Sequence, residues 1–528
     1  MKYKACILAA GSGATMKELA NNINKSILPI NFKAVISHII EKFPKEIEIV
    51  VAVGYKKETV IDYLALAHSD RKFTFVEIDN YIGPGTGPGY SLLKCRKHLD
   101  CPFVLYTADT IILEDVPEPS NNWLGIAPVK TTEPYCTVKI KNNLIYHLED
   151  KTKNDSKFAF IGLAGIKDHA DFFDSLEKGN DLAQGEIQVS NGFKKLTESA
   201  LSPIGFTWFD TGTLENYIRT NKSLSGEKKF DFSKGKGDEF LYFVSGKVIK
   251  FFADEKIAQN RCIRAEKSLK GITPKIDERR GNFYGYDRVD GQVLYEVLNR
   301  KTVIDFLDWA LNNLWKKADL DINGKTEFAK ACDDFYVTKT NKRLQAFYDK
   351  TGIEDRAISI NGILTPPLKE LMEKIDWKKI KNGVPSNFHG DLQFDNILLD
   401  KNAKNDLKKF ILLDWRQDFA GLVSYGDLYY DLAKLYGGTL ISYQLIKDAM
   451  FSFDMSDDNA YYNYFIKNDL IEAREEFELF IKNNGFDLNK IKTITALIFL
   501  NMSPLHEEPF DKMLYFMGRS MLYKLMSK

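Results

Sequence analysis

The chain has 528 residues, 44% hydrophobic and 13% aromatic, which is too long for one core and apolar enough for two or three. Its 73 Lys and Arg balance its 73 Asp and Glu, and this zero net charge excludes the basic excess of a nucleic-acid or anionic-membrane partner. No apolar run approaches the roughly 18–20 residues of a membrane span, and six scattered cysteines form no Cys-x-x-Cys pair, so neither a zinc site nor a disulfide framework is indicated. A soluble, cytoplasmic enzyme acting on small molecules is the expectation.

Taken in chain order, residues 5–10, 47–54, 73–78, 103–107 and 124–129 read as short apolar strands. Helical patterns at 34–43, 58–67 and 90–98 lie between them. Alternation of this kind predicts an α/β domain with a largely parallel, Rossmann-like sheet. Residues 137–148 read as a hairpin through Asn142-Asn143, and 158–166 as a further strand. The polar stretch 221–229 is the expected linker, dividing a domain at 1–225 from one at 230–528. The second domain restarts with strands at 240–244 and 247–252 around Ser245-Gly246. From about 302 it turns helical, interrupted by strand-like 397–399 and 410–413. A β lobe at about 230–300 followed by a helical lobe at about 301–528 predicts a bilobal, kinase-like α+β domain.

The first strand runs into Gly11-Ser12-Gly13, a turn whose exposed backbone N–H groups can hold a phosphate. Met16 occupies the third glycine position of a dinucleotide fingerprint, so an NAD site is disfavoured. Lys25 follows at the distance a second phosphate contact needs. Asp109 stands at the C-terminal end of a buried strand, where open α/β sheets bind ligands, and Asp210 supplies a second carboxylate. Two carboxylates can hold Mg²⁺ against a triphosphate. Taken singly, each of these residues is more often a turn or cap residue than a ligand.

In order, Leu8-Ala9-Ala10-Gly11-Ser12-Gly13, Lys25, Asp109 and Phe209-Asp210-Thr211-Gly212-Thr213 resemble the sugar-1-phosphate nucleotidyltransferase family. That resemblance implies nucleotide binding by Gly11, Gly13, Gly85, Thr86 and Gly87, catalysis by Lys25, and Mg²⁺ held by Asp109 and Asp210. It also implies sugar-side contacts from Lys151 and Glu186. One departure is visible: where the family carries Arg after the second loop glycine, this chain has Thr15, with Lys17 the nearest cation.

The second constellation is His389-Gly390-Asp391-Leu392-Gln393-Phe394-Asp395-Asn396, then Asp414-Trp415-Arg416 after a strand. Asp391 and Asn396 stand at the spacing of a kinase catalytic loop. Asp391 would accept the proton of an attacking hydroxyl, and Asn396 and Asp414 would hold Mg²⁺. His389 would brace the loop. Lys250, on a strand, and Glu266, on a helix, read as a phosphate-binding ion pair. Gly235 and Gly237 read as a short phosphate-covering loop, and Tyr295–Leu298 as an adenine hinge. The region from about 230 resembles the aminoglycoside phosphotransferase and choline kinase family. The acidic residues of Gly426-Asp427-Leu428-Tyr429-Tyr430-Asp431 read as structural.

The combined expectation is a bifunctional enzyme using ATP, an NTP and Mg²⁺ at both sites. It phosphorylates a small hydroxyl compound, a sugar or related polyol, and couples the phosphate to the NTP. Pyrophosphate leaves, and the NDP-activated product feeds nucleotide-sugar and capsule-polysaccharide synthesis. Two alternatives stay open: an amino-alcohol kinase with cytidylyltransferase activity, and an active kinase with a nucleotide-binding regulatory N-terminal domain.

Overall fold

The computed structural model describes residues 2–179, 182–225 and 237–527. By internal contacts the chain divides into two compact units. The first takes the chain to residue 225, residues 237–255 and Glu278–Tyr286; the second takes Lys256–Asp277 and continues from Asp287.

The first unit is built on a nine-stranded sheet. Its parallel centre runs in the order Phe103–Thr107, Lys4–Ala9, Ile49–Val53, Phe73–Glu77. Residue parity explains why the sheet is covered on both sides. Ala5, Ile7 and Ala9 enter one core with Val51, Val60 and Leu64. Cys6 and Ala10 enter the other with Val50, Leu92 and Phe172. Strand Phe158–Ile166 then runs antiparallel to Phe103–Thr107. There Gly162 (φ 80°) lies so close to Thr107 that a β-carbon would sit 1.9 Å from its Oγ1, so only glycine fits. The hairpin Cys136–Lys141 and Leu144–Asp150 extends this edge, with Asn142 and Asn143 both at positive φ as expected for its turn.

The strands Glu239–Val244 and Lys247–Phe252 form around the expected Ser245-Gly246 turn. Their contacts group them with the first unit and not with the helical region that follows. Tyr242, Phe251 and Phe283 complete the core that contains Val60 and Tyr63, and the Tyr242 hydroxyl donates to the Ile27 carbonyl at 2.9 Å. The described residues on both sides of the polar stretch 221–229 thus belong to the first unit, and the described chain passes to the second at Lys256. Residues 221–225 are the last turn of helix Leu214–Ser225, and 226–229, like Gly235, lie outside the described residues.

The second unit is mainly helical, around one large core that joins helices Arg300–Asn313, Leu428–Gly438 and Leu488–Met502. Strands Ile397–Leu399 and Phe410–Leu412 pair antiparallel, Ile397 opposite Leu412. A four-stranded sheet built from residues 358–365 and 451–464 was not anticipated. Its strands are short: Phe451, Phe453 and Met455 alternate with polar residues over only five positions, and Asn459–Tyr464 is largely polar and aromatic.

Candidate active sites

In the first unit the loops after strands Lys4–Ala9 and Phe103–Thr107 leave the same edge of the sheet, between neighbouring parallel strands. This is the crevice position at which open α/β sheets bind ligands. Gly11 has open space where a side chain would be. Gly13 is left-handed (φ 68°) and lies against the stem of Lys25. The Lys25 ammonium meets the Asp109 carboxylate at 2.6 Å. Burial pushes the Asp109 carboxyl up, but the Lys25 charge and hydrogen bonds from Lys25 and Thr107 outweigh it and hold the group below its usual value.

The strand Trp208–Asp210 pairs with Thr110–Ile112, Asp210 opposite Thr110, which brings the second carboxylate beside the first. Gly212 stands between them. A β-carbon there would lie 3.0 Å from Asp210 Oδ1 and 3.5 Å from Asp109 Oδ2. Asp210 accepts from the Gly212 amide (2.7 Å), the Tyr135 hydroxyl (3.1 Å) and the Asn216 amide. Burial raises the Asp210 carboxyl overall, with a further push from Asp109. Two carboxylates converging on one gap fit a hard cation that takes its remaining ligands from phosphates and water. Among the described residues no cluster of three or more His, Cys, Asp or Glu side chains offers a closed cage.

Thr15 has a definite role: its hydroxyl donates to the Gly212 carbonyl at 2.6 Å, tying the glycine loop to the Asp210 turn. The Gly85 amide donates to the Gly185 carbonyl (2.8 Å) and the Ile187 amide to the Thr86 carbonyl (2.7 Å), so the Gly83–Gly87 loop and the turn before Glu186 are laced together. Gly87, at φ 110°, passes so close to Glu186 that a β-carbon would meet its Cβ at 2.8 Å. Lys151, itself left-handed, reaches Glu186 at 3.4 Å. The neighbouring cavity of about 730 Å³ is lined by residues 146–152 and Lys194. Sequence reasoning missed Tyr135 and Asn216, the braces of Asp210. The signal for Asn216 was its place in the first turn of the helix that follows Asp210.

In the second unit the antiparallel pair Ile397–Leu399 and Phe410–Leu412 carries Asn396 and Asp414 to the same end, where the Leu413 amide donates to the Asn396 carbonyl at 2.8 Å. The Asn396 side chain donates to the Asp391 carbonyl (2.9 Å), and Gln393 to Asp391 Oδ1 (3.0 Å). Lys434 pairs with Asp391 at 2.7 Å. Burial raises the Asp391 carboxyl, yet Lys434 and Gln393 bring it below its usual value. His389 braces the loop: one ring nitrogen donates to the Leu413 carbonyl (2.8 Å) and the other accepts from the Asp391 amide (3.2 Å). This arrangement needs the neutral ring, and burial lowers its pKa to about 4. The Asp431 carboxylate accepts from the His389 and Gly390 amides at 2.6 and 2.7 Å and from Trp315, which is the structural role expected of it. Burial raises Asp431 to about 6.

Other sequence assignments fare differently. Glu266 is exposed and has no ion-pair partner among the described residues, so the expected pair with Lys250 is not made; Lys250 itself is buried on its strand. The charged residue that helix Glu255–Glu266 sends to the site is Arg261, paired with Asp414 at 2.6 Å. Gly237 lies against the carbonyls of Glu18 and Leu19 in the first unit, which ties it to the nucleotide-loop region and not to a phosphate-covering loop of the second. Sequence reasoning also missed Lys434. Its signal was its position one turn after Asp431, on the helix face that grips the His389–Asn396 loop.

No family model matches the chain. Over 236 residues it is 30% identical to the bifunctional protein GlmU of Methanococcus vannielii, covering 41% of this chain and 55% of that one. Over 253 residues it is 30% identical to the GlmU of Methanocaldococcus jannaschii, covering 46% and 59%. Over 111 residues it is 29% identical to the UTP–glucose-1-phosphate uridylyltransferase AglF of Haloferax volcanii, covering 20% and 44%. The chain thus spans about half the length of the curated relatives it matches. Its N-terminal part is a mixed α/β, Rossmann-like domain similar to nucleotidyltransferases.

Proposed function

We propose that the first unit transfers a nucleotidyl group from an NTP to a phosphorylated sugar or polyol. The observation that carries this reading is the convergence of Asp109 and Asp210 on Gly212, beside Lys25 and the Gly11–Gly13 turn. A phosphate oxygen of the acceptor attacks the α-phosphorus, the bond from that phosphorus to the bridging oxygen breaks, and pyrophosphate leaves. Mg²⁺ held by Asp109 and Asp210 would offset charge on the phosphates. Lys25 would hold a phosphate oxygen, and the free amides of the glycine turn another. Lys151 and Glu186 would face the sugar. The likeness to AglF, named for uridylyl transfer to glucose 1-phosphate, supports a sugar phosphate as acceptor.

For the second unit we propose ATP-dependent phosphorylation of a small hydroxyl compound. Asp391 orients the hydroxyl and takes its proton, the hydroxyl oxygen bonds to the γ-phosphorus, and ADP leaves with the bridging oxygen. Asn396 and Asp414 would hold Mg²⁺, and Tyr295 and its neighbours would flank the adenine. The adjacency of Asn396, Asp391 and Asp414 supports this assignment. Its product is the kind of substrate the first unit consumes, and an NDP-activated compound of this kind would serve polysaccharide synthesis.

The first activity is tested by pyrophosphate release from each of the four common NTPs with a panel of sugar 1-phosphates. The second is tested by ADP release. Asp391→Ala abolishes ADP release and spares pyrophosphate release; loss of both would contradict two separate chemistries.

A further inference from the structure

The cavity that contains Asp391 is far richer in cations than phosphoryl transfer to a neutral or cationic acceptor requires. It measures about 440 Å³ and is lined by Arg261, Lys339, Arg343, Arg416 and Lys434 against only two carboxylates, Asp391 and Asp414. Arg261 and Lys434 are taken by those carboxylates. Lys339, Arg343 and Arg416 have no ion-pair partner among the described residues. The Lys339 ammonium lies 3.9 Å from the Phe335 ring centroid and the Arg416 guanidinium 5.2 Å from the same ring, so one aromatic surface serves two cations. The Arg416 Nε is buried with no hydrogen-bond partner.

Lys339 and Arg343 stand four apart on helix Lys339–Thr351, a like-charge spacing that destabilises a helix unless something neutralises it. A π-helical turn, Asp334–Thr338, immediately precedes them; such turns are frequent at functional sites. Burial first, then Arg416, Arg343 and Lys434, depress Lys339 to about 6. Partly buried cations pressed together without counter-charge are costly unless a ligand supplies it. The rest of the lining is mostly apolar or aromatic, Tyr336, Tyr430, Leu497 and Ile498 among it, with Gln393, Gln417, Asn501 and His506 as its uncharged polar members.

We infer that the acceptor of the second unit is an anion, a hydroxyl compound carrying a carboxylate or phosphate of its own, which Lys339, Arg343 and Arg416 clamp while Asp391 meets its free hydroxyl. This rests on the kinase reading of Asp391 and speaks against the amino-alcohol alternative, because a quaternary or primary ammonium would face Lys339 and the Arg343 and Arg416 guanidinium groups, which have no ion-pair partner among the described residues. The reaction balances as above: ATP supplies the phosphoryl group, ADP leaves, and the hydroxyl proton passes to Asp391.

The test uses the full chain and matched probes on one scaffold: glucose, glucosamine, glucuronate and glucose 6-phosphate, with choline added. Calorimetry measures binding, and ADP release measures turnover. Glucuronate or glucose 6-phosphate is expected to bind at least about tenfold more tightly than glucose, as loss of one charge-assisted contact would imply. Arg343→Gln and Arg416→Gln should each raise the dissociation constant of the anionic probe about tenfold and leave the KM for ATP unchanged. A preference for glucose, glucosamine or choline overturns the inference, as does a rise in the KM for ATP in place of the acceptor effect, which would assign the cations to the nucleotide. Failure of every anionic probe to bind also overturns it. Tight anion binding with no ADP release from any probe would instead contradict the kinase reading and leave the anion pocket standing.

Discussion

Gly212 shows how much of the first site depends on single atoms. Its backbone does not need positive φ, so alanine is conformationally allowed there, yet the added methyl would press on both carboxylates, Asp109 and Asp210. Gly212→Ala should therefore lower pyrophosphate release about tenfold or more while shifting the Tm by no more than about 2 °C. Kinetics and thermal unfolding on one preparation decide this; a large fall in Tm would make Gly212 a folding residue instead. His389 makes a second prediction. Its folded-state pKa of about 4 lies below the ordinary 6.5, so the native loop holds the neutral ring while the unfolded chain takes up a proton. Stability from this residue is complete above about pH 6.5 and is lost as pH falls toward about 4. Urea unfolding should show the wild type losing stability over that window more steeply than His389→Gln. Equal slopes would show that His389 protonates as freely in the folded loop as in the unfolded chain.

At the scale of elements, the charge pattern of helix Lys339–Thr351 opposes its stability. Arg343→Gln removes the like-charge neighbour of Lys339 and should raise the Tm of the ligand-free protein slightly, by about 1 °C or less, from relief of a few tenths of a kcal/mol. A lower Tm would mean that Arg343 is a structural residue. Elements of this kind separate what was legible in the sequence from what was not. The strands that carry Gly11, Asp109 and Asp414 were read to within a residue or two, because buried parallel strands and short core strands are continuous apolar runs. Asp109 could be named because it follows an apolar strand, and Asp210 because of its place in Phe209-Asp210-Thr211-Gly212-Thr213. That Gly212 separates them, and that Thr15 ties the loop to that turn, depends on tertiary approach across 197 positions and left no local trace. Glu266 was chosen on helical periodicity alone. Arg261, five positions earlier, is buried and points into the site, while Glu266 sits at the exposed end of the same helix. The strands 240–244 and 247–252 were correctly read as a hairpin, but their core could not be. Tyr242 and Phe251 carry no mark saying which of two hydrophobic cores they complete.

At the scale of the molecule, the two proposed activities are complementary: the second unit would make a phosphate ester, and the first would consume one. If the cation-lined cavity takes an anion, as inferred, the compound reaching the nucleotidyl site would carry both its original acidic group and the new phosphate. Lys151 beside Glu186 offers one cation there for it. The most direct measurement of the central proposal is pyrophosphate release by the purified protein with Mg²⁺, NTPs and a panel of sugar 1-phosphates, set against Asp109→Asn. Release that depends on one NTP and one phosphate acceptor, and falls at least about a hundredfold in the variant, is the predicted result. No release with any pair, or release unchanged by Asp109→Asn, would contradict it.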